Sequence, residues 1–408
     1  MRERIASICW QSILPGLLLS VSASLAQAGE ITARWSETKA NAWYAEQKWI
    51  IGSNYLPANA INQLEMWQAE TFDPQRIDLE LGWAQNLGMT TMRVFLHSLL
   101  WRQDVQGFEQ RVAQFLAIAD KHGIKPIFVL FDACWDPKPK LGLQHAPVRG
   151  VHNSGWVQDP GAALTDPDAL VQMESYVKGI VGAFADDKRI LAWDVWNEPD
   201  NPGGGNYAAY EVEAKAKLVA KLLPQVFAWA RSVKPVQPLT SPLWRADGEK
   251  RTNDWSAVST LNSVERAQIE QSDVVSFHSY EWPELFQLRV TQLATYHRPV
   301  ICTEYLARGI GSTIDTVLPL AKKLNVGAVN WGFVDGKEQT RFPWDSWDHP
   351  YVSAEPLVWH HDLLHVDGTP YRRHEVDIIS ALTHSPRGEV PTDFLSVGNS
   401  KQKEKFSD

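Results

Sequence analysis

The chain has 408 residues and a formal net charge of −9 at pH 7, with 44% hydrophobic and 21% charged residues. This length and composition are typical of a globular protein with a large core. The acidic balance and the lack of a basic stripe in the sequence argue against nucleic acid as a partner.

Residues 1–28 have the pattern of a secretory signal peptide. Arg2 and Arg4 precede a mostly apolar stretch over residues 5–19, and Ala26-Gln27-Ala28 is a small-residue cleavage site. The alternative is an N-terminal membrane anchor, but polar residues and a proline interrupt the apolar stretch, which is short for a span. The sequence therefore predicts an exported protein, periplasmic or secreted, that has no membrane span after cleavage and begins near Gly29.

The chain after the signal is predicted to alternate between helices and strands. A short helix over 35–47 leads into strands at 49–52, 90–96, 127–131 and 190–196, with helices at 73–87, 108–122 and 166–184 between them. Helix 73–87 has clear end signals, with Asp73 as N-cap, Pro74 at its first position and Gly88 after its last turn. Helix 108–122 keeps apolar residues on one face, namely Phe108, Val112, Phe115, Leu116 and Ala119.

The alternation continues through the second half of the chain. Strands are predicted at 239–243, 273–277, 298–305 and 327–333, and helices at 207–233, 283–296, 312–324 and 370–382. Two long loops interrupt this pattern: the first long loop (137–160) after the third strand and the second long loop (335–369) after the eighth. The first is too polar for the core, and loops of this length are commonly lids or binding walls.

This order predicts an α/β protein with a closed (β/α)8 barrel, formed as one domain by residues 29–384. The rival architecture is a doubly wound open sheet, but the sequence lacks its Gly-rich first turn and the matching acidic residue. Residues 385–408 are polar and are predicted to be a disordered tail.

Two of the predicted strands deliver a glutamate to their carboxyl ends. The run I-L-A-W-D-V-W is followed by Asn197, Glu198 and Pro199, and the proline ends the strand. The run R-P-V-I-C-T leads in the same way to Glu304. Active sites of (β/α)8 barrels lie at this end of the strands. Two carboxylates placed there are the minimum apparatus for cleaving a glycosidic bond.

The motifs at four strand ends resemble those of the cellulase-type glycoside hydrolases, family 5 and its clan of retaining (β/α)8 enzymes. They are W-N-E-P at the fourth strand, H-S-Y at the sixth, T-E-Y at the seventh and N-W-G at the eighth. The resemblance extends over essentially the whole chain after the signal. It implies that Glu198 is the acid/base and Glu304 the nucleophile of a double displacement, which needs no cofactor because the two carboxylates supply the chemistry.

The resemblance also implies roles for residues around this pair. Asn197 would bind the sugar's 2-hydroxyl, Arg93 and Tyr280 would hold Glu304 ionised, and His278 would lie beside the two glutamates. Physical reasons support part of this set, since an arginine inside a strand needs a carboxylate partner and a nucleophilic glutamate must be kept ionised by donors.

Further candidates for substrate binding are Trp331, Trp156, Asn54 and Asp132. The resemblance implies that Trp331 forms the floor for the reacting sugar, and tryptophan is suited to stacking on such a ring. The alternative for Trp331 and His278 is a packed core residue with one satisfied polar atom. Asp132 stands where family 5 enzymes usually have a histidine, which predicts that a different hydroxyl pattern is recognised at the reacting sugar.

The remaining chemistry-bearing residues predict no metal site. His361 and His365 have helical spacing but lack an H-E-x-x-H motif, and Cys134 and Cys302 are predicted to be packed thiols. The predicted function is therefore an exported retaining β-glycosidase for a xylan, mannan or β-glucan type of substrate. The alternative is a catalytically silent carbohydrate-binding barrel. Endo or exo action and the oligomeric state stay open at this point.

Overall fold

The structure, a computed structural model, describes residues 33–245 and 254–391; the predicted signal peptide and residues 392–408 of the predicted tail lie outside these ranges. Eight short strands are buried along their whole length: β1 (Ile51–Asn54), β2 (Thr91–Phe95), β3 (Ile127–Val129), β4 (Ala192–Asp194), β5 (Leu239–Thr240), β6 (Val275–His278), β7 (Val300–Glu304) and β8 (Gly327–Asn330).

All pairs in the sheet are parallel, and the strand order is β5-β4-β3-β2-β1-β8-β7-β6. The two outer strands meet through a parallel bridge between Leu243 and Phe277, which closes the sheet. The predicted fifth strand is thus shorter than expected, because Pro242 removes a backbone donor before the chain rejoins the barrel at Leu243. The closed (β/α)8 barrel predicted from the sequence is confirmed.

Eleven α-helices lie in the described ranges: α1 (Glu37–Glu46), α2 (Gln63–Trp67), α3 (Pro74–Asn86), α4 (Ser98–Gln103), α5 (Val105–Lys121), α6 (Pro167–Ala183), α7 (Lys215–Ser232), α8 (Ser263–Gln271), α9 (Pro283–Ala294), α10 (Ile314–Lys323) and α11 (Arg373–His384). No helix in these ranges is long and apolar enough to cross a membrane. The predicted helix 207–233 is wrong in its first part, where a 3₁₀ turn over Gly205–Tyr210 precedes α7.

The helices begin and pack as their sequences dictate. The Asp73 side chain accepts a hydrogen bond from the Arg76 N–H at the start of α3. The predicted inner face of α5 is fully buried along its length. At the amino-terminal end of the barrel, Ala40 and Tyr44 of α1 pack on the strand residues Ile127 and Ile301. This helix therefore covers part of that end of the barrel.

The first long loop is more buried than its sequence suggested. Val151, His152, Asn153 and Trp156 are each at most 4% exposed. Residues of the second long loop contact the first three, and Trp156 packs on Phe95 and Trp331. The expectation that this segment is too polar for the core therefore holds for residues 138–149, which are exposed or half-buried, and is wrong for residues 150–160, which are buried. At the chain end, Arg387 donates to the backbone carbonyls of Tyr44 and Gln47, so contacts with the barrel extend past the predicted boundary at 384.

Candidate active site

A cavity of about 670 Å³ opens at the carboxyl ends of the strands. Such a volume is within the range of small-molecule sites. The residues predicted from the sequence that line it are Asp132, Trp156, Asn197, Glu198, His278, Tyr280, Glu304 and Trp331. These residues come from the ends of five different strands and from one loop. Local sequence patterns identify each strand end separately, and the parallel barrel brings them together.

Two glutamates face each other across this cavity with a histidine between them. One ligand atom each of Glu198, His278 and Glu304 lie within 4.8 Å of one another. The His278 Nδ1 is 2.7 Å from Glu198 Oε1 and 3.4 Å from Glu304 Oε2. Burial lowers the pKa of His278 to about 3, so this imidazole is neutral near pH 7.

Glu304 is surrounded by donors. Arg93 Nη1 donates to its Oε1 at 2.9 Å, and the Tyr280 hydroxyl donates to its Oε2 at 2.8 Å. Burial raises the pKa of Glu304, while the Arg93 guanidinium and the Tyr280 hydroxyl act against that rise. Burial also holds the pKa of Tyr280 well above its usual range, so its hydroxyl stays protonated and remains a donor.

Arg93 lies under the cavity and joins four side chains. It is fully buried and donates to Asp194 Oδ2 at 2.7 Å, to Asn197 Oδ1 at 2.6 Å and to Asn54 Oδ1 at 2.8 Å, besides Glu304. The Asn54 amide also donates to the carbonyl of Thr303. Neither Arg93 nor Asn54 lines the cavity. Arg93 contacts Glu304, the residue that it was expected to hold, whereas Asn54, a candidate for substrate binding, is placed to position other side chains.

Glu198 has uncharged hydrogen-bond partners, whereas Glu304 is paired with an arginine. Asn201 Nδ2 donates to its Oε2 at 2.5 Å, and the Cys134 thiol lies 3.4 Å from the same oxygen. Burial raises the pKa of Glu198. Its backbone φ is 40°, in the left-handed region, although Pro199 follows it. Such a conformation costs about 1–3 kcal/mol and is found most often at functional sites.

These surroundings favour different protonation states for the carboxyl groups of Glu198 and Glu304. Two carboxylates this close do not both ionise easily, so one of them tends to keep a proton. The fixed positive charge of Arg93 favours the ionised form of Glu304, and Glu198 has no ion pair with an arginine or lysine among the described residues. These contacts favour the proton on Glu198 and the negative charge on Glu304.

Asp132 takes part in a separate group of hydrogen bonds on the cavity wall. Its carboxylate accepts from Trp156 Nε1 at 2.5 Å and from Asn197 Nδ2 at 2.7 Å. Burial raises the pKa of Asp132 to about 6. Trp156 in turn packs edge-on against Trp331, with ring centroids 5.8 Å apart. The sequence identified all four residues but not that they contact one another.

Several residues of the site were missed by sequence reasoning. Asp194 is the second carboxylate that forms an ion pair with Arg93. Its position as a charged residue within the apolar run of β4 could have identified it from the sequence. Asn201 follows Glu198 by three residues and contacts it directly. The outer parts of the cavity come from residues that are distant in sequence and carry no motif, namely His152, Asn153, Trp244, Trp282, Trp344 and His361.

Among the described residues, only Glu198, His278 and Glu304 form a group with the spacing of metal ligands. His361 and His365 form no such group in these ranges; the ring of His365 packs instead on Trp359, with centroids 4.5 Å apart. Cys134 and Cys302 are free thiols, as expected. The absence of a metal or cofactor stays a prediction from the sequence.

Comparisons with solved structures match the chain to glycoside hydrolases. GH5_18 from Streptomyces cattleya, solved in complex with GlcNAc, has a TM-score of 0.57 and 15% identity over 85% of this chain and 82% of its own. An exo-β-1,4-mannosidase from an Opitutaceae bacterium has a TM-score of 0.53 and 16% identity over 82% of this chain and 59% of its own. An endo-1,4-β-D-mannanase from Thermotoga petrophila has a TM-score of 0.50 and 14% identity over 82% of this chain and 99% of its own.

No protein-family model matches the chain, and comparison with curated protein sequences finds no relative. At these identities the structural likeness establishes the fold, which is the (β/α)8 barrel of the GH5 structures. The sequence resemblance to that type of barrel is thus confirmed at the level of the fold.

Proposed function

We propose that this protein is a retaining β-glycosidase. The observation that carries the proposal is the buried group of Glu198, His278 and Glu304, with ligand atoms within 4.8 Å of one another. Carboxyl groups of retaining glycosidases are about 5–5.5 Å apart, whereas inverting enzymes leave roughly 6.5–9.5 Å for a water molecule. An oxygen of Glu198 and one of Glu304 thus lie within 4.8 Å of each other, which is nearer the retaining than the inverting range and favours direct attack by one glutamate on the sugar.

In the first step, a Glu304 oxygen attacks the anomeric carbon of a sugar held against Trp331. The bond from that carbon to the leaving oxygen breaks, and Glu198 transfers its proton to this oxygen. The product is a glycosyl ester of Glu304. Arg93 and Tyr280 serve this step because they keep Glu304 ionised and oriented before it attacks.

In the second step, the deprotonated Glu198 takes a proton from water, whose oxygen attacks the same carbon. The ester bond to Glu304 breaks, and the released sugar keeps its original β configuration. The position of Asn201 suits this alternation, because its amide donates to the ionised Glu198 and can remain nearby when the group is protonated.

We propose a mannan-type β-linked glycan as the substrate. Support comes from the structures similar to this chain, which include an exo-β-1,4-mannosidase and an endo-1,4-β-D-mannanase. Asp132, in place of the histidine usual in family 5, gives the reacting sugar a carboxylate instead of an imidazole as a partner. Xylan and β-glucan type substrates are the alternatives that an assay must compare.

The proposal is tested with aryl β-mannosides, β-glucosides and β-xylosides together with the matching β-1,4-oligosaccharides. We expect hydrolysis of at least one series, with the β anomer as the first product seen by proton NMR. Glu304→Gln should lower kcat by roughly 10⁴-fold or more, whereas Glu284→Gln, an exposed glutamate on α9, should leave it unchanged. Binding of an oligosaccharide without hydrolysis would indicate the silent carbohydrate-binding barrel, and an α product would exclude the retaining mechanism.

We also propose that the enzyme is exported. The support is the pattern of residues 1–28, with two arginines, an apolar stretch and the Ala26-Gln27-Ala28 site. A polysaccharide substrate is too large to enter a cell, which suits an enzyme located in the periplasm or the medium.

A further inference from the structure

The two long loops are joined to each other beside the cavity. The Asn153 N–H donates to the carbonyl of Glu338 at 3.0 Å, and the His152 N–H donates to Ser346 Oγ at 2.9 Å. His152 and Asn153 are buried, and both line the cavity. The loops therefore form one continuous wall there.

Aromatic rings extend this wall from the second long loop toward the loop after β4. Trp347 of the second long loop stacks on Trp135, which lies just before the first long loop; their ring centroids are 5.0 Å apart and the planes differ by 13°. Trp347 also makes an edge contact with Tyr207, at 5.6 Å between centroids. Aromatic pairs of this kind stabilise a contact beyond the area that they bury.

The loop after β1 (residues 55–73) fills the space behind the wall. Asn62 Nδ2 donates to the carbonyl of Gly155 in the first long loop at 2.8 Å. The Lys337 N–H, from the second long loop, donates to the carbonyl of Ala58 at 3.0 Å. Hydrogen bonds thus link all three loops to one another, so the wall is supported from behind.

The strand order shows which part of the barrel this wall covers. The two long loops follow β3 and β8, and these strands are separated in the sheet by β2 and β1. A bridge between the loops therefore closes the sector above β1 and β2. A polysaccharide bound along an open cleft would have to extend through that sector or through the one opposite.

The proposed acid, Glu198, and two tryptophans of the cavity lie outside the sector that the wall covers. Glu198 follows β4, Trp244 follows β5 and Trp282 follows β6. Both tryptophans line the cavity, and Trp282 is 64% exposed, so its ring faces solvent. The acid of a glycosidase must adjoin the leaving oxygen, and the leaving part of the substrate therefore extends toward these two tryptophans.

From this arrangement we propose that the enzyme is exo-acting and removes the terminal sugar from the non-reducing end of its substrate. The inference rests on the proposed glycosidase function and deepens it. The glycone enters the closed end, where no second sugar can precede it, and the rest of the chain leaves over Trp244 and Trp282. The closed end also offers Asp132, His152 and His361 along its wall, which suits the hydroxyl groups of a sugar that ends there.

The test uses β-1,4-mannopentaose labelled at its reducing end, with the xylose and glucose pentaoses alongside it. An exo-acting enzyme releases monosaccharide from the first time point, and the label moves through the tetraose and then the triose. A second substrate carries a methyl group on the terminal 4-hydroxyl. The closed end has no space for a further sugar at that position, so we expect this cap to slow cleavage by roughly 100-fold.

Two variants test whether the wall is responsible. Trp347→Ala removes the ring that bridges Trp135 and Tyr207 and should raise the ratio of capped to uncapped cleavage by about tenfold or more. Trp282→Ala changes a comparable ring outside the wall and should leave this ratio unchanged, while raising KM for the longer oligosaccharides. Melting temperatures of both variants show whether each is folded.

Cleavage of internal bonds at early times, or equal rates on capped and uncapped substrates, would overturn the exo proposal. An unchanged ratio in a folded Trp347→Ala variant would overturn the role of the loop wall from which it is argued. These outcomes leave the glycosidase function intact, because bonds are still hydrolysed. Failure to cleave any aryl glycoside or oligosaccharide would instead overturn the glycosidase function, and the exo proposal with it.

Discussion

The imidazole of His278 lies 2.7 Å from the carboxyl group of Glu198, between Nδ1 and Oε1, and is neutral because burial lowers its pKa to about 3. A neutral histidine can hold the acid in place without supplying a charge that would ionise it. The titration that controls activity is therefore expected to come from the two glutamates, Glu198 and Glu304.

This assignment gives the pH dependence a definite sign. Activity requires Glu304 ionised and Glu198 protonated. We therefore expect kcat/KM to decrease at pH values below the pKa of Glu304 and at pH values above the pKa of Glu198. Burial raises the pKa of both groups, and we expect both limbs above the pH at which an ordinary glutamate titrates. In Glu198→Ala, formation of the glycosyl-enzyme from an activated aryl glycoside should lose the alkaline limb, whereas His278→Gln should keep it. Loss of that limb in His278→Gln would assign it to the histidine.

Arg93 carries both a structural and a functional role, which two substitutions can separate. Arg93→Met leaves the buried Asp194 and Glu304 without their cation, and we expect a loss of about 3–5 kcal/mol in the free energy of unfolding. Adding Asp194→Asn removes one unpaired charge and should recover part of this stability. Activity should stay low in the double variant, because the pKa of Glu304 rises without the guanidinium.

Denaturant unfolding and kcat/KM measured on the same samples check both parts of the Arg93 expectation. Arg373→Met is a matched control, since this arginine is 81% exposed in its pair with Asp377, and it should change stability by less than about 0.5 kcal/mol. A double variant that recovers activity together with stability would show that Arg93 has no separate effect on the nucleophile.

The positions of the two glutamates were predictable because they depend on local patterns. Glu198 and Glu304 follow apolar runs that can only be buried strands, and parallel strands all end at one face. Helix α8 was equally readable and was overlooked, since Asn262 and Glu265 form a capping box at its start.

The wall of the cavity could not be predicted in this way. The contact between Asn153 and Glu338 joins segments 185 residues apart. Neither segment carries a sequence pattern that predicts contact with the other. The burial of His152 likewise depends on the covering loop and not on its own neighbours in sequence. Local periodicity places strands and helices, whereas loop closure depends on tertiary contacts between irregular segments.

Asp362 is expected to make stability depend on pH. Burial and the nearby Asp335 raise the pKa of Asp362 to about 7. Since its pKa is raised in the folded state, the stabilisation is complete below about pH 4 and is lost as pH rises through 7. Asp362→Asn should remove this dependence. We therefore expect the melting temperature of the variant minus that of the wild type to increase as the pH is raised from 4 to 8. The exposed Asp348→Asn serves as the control and should show no such trend.

Export gives a direct expectation for the amino terminus. Protein recovered from the periplasm or the medium should begin at or near Gly29, as shown by intact mass and amino-terminal sequencing. Changing Ala26 and Ala28 to bulky residues should block cleavage and retain the precursor at the membrane. A soluble cytoplasmic protein with residues 1–28 intact would contradict the proposed location.

The roles of the two glutamates are separated by their response to azide. In Glu198→Ala, natural glycosides should lose about 10²- to 10⁴-fold in rate, because their leaving groups need a proton. An activated aryl glycoside should still form the ester with Glu304, since its phenol leaves without help. Turnover then stalls because the base that activates water is missing. Azide needs no base, and we expect it to restore turnover and give a glycosyl azide of β configuration.

Glu304→Ala should behave in the opposite way, because the nucleophile itself is missing. Neither a natural nor an activated glycoside should form an ester, and azide entering the space left by the carboxyl group attacks the β-glycoside from its α face. The product is then the α azide, which NMR distinguishes from the β form. If Glu304→Ala gives the β azide and Glu198→Ala the α azide, the two roles are exchanged. If both variants keep full activity without azide, hydrolysis takes place at other residues.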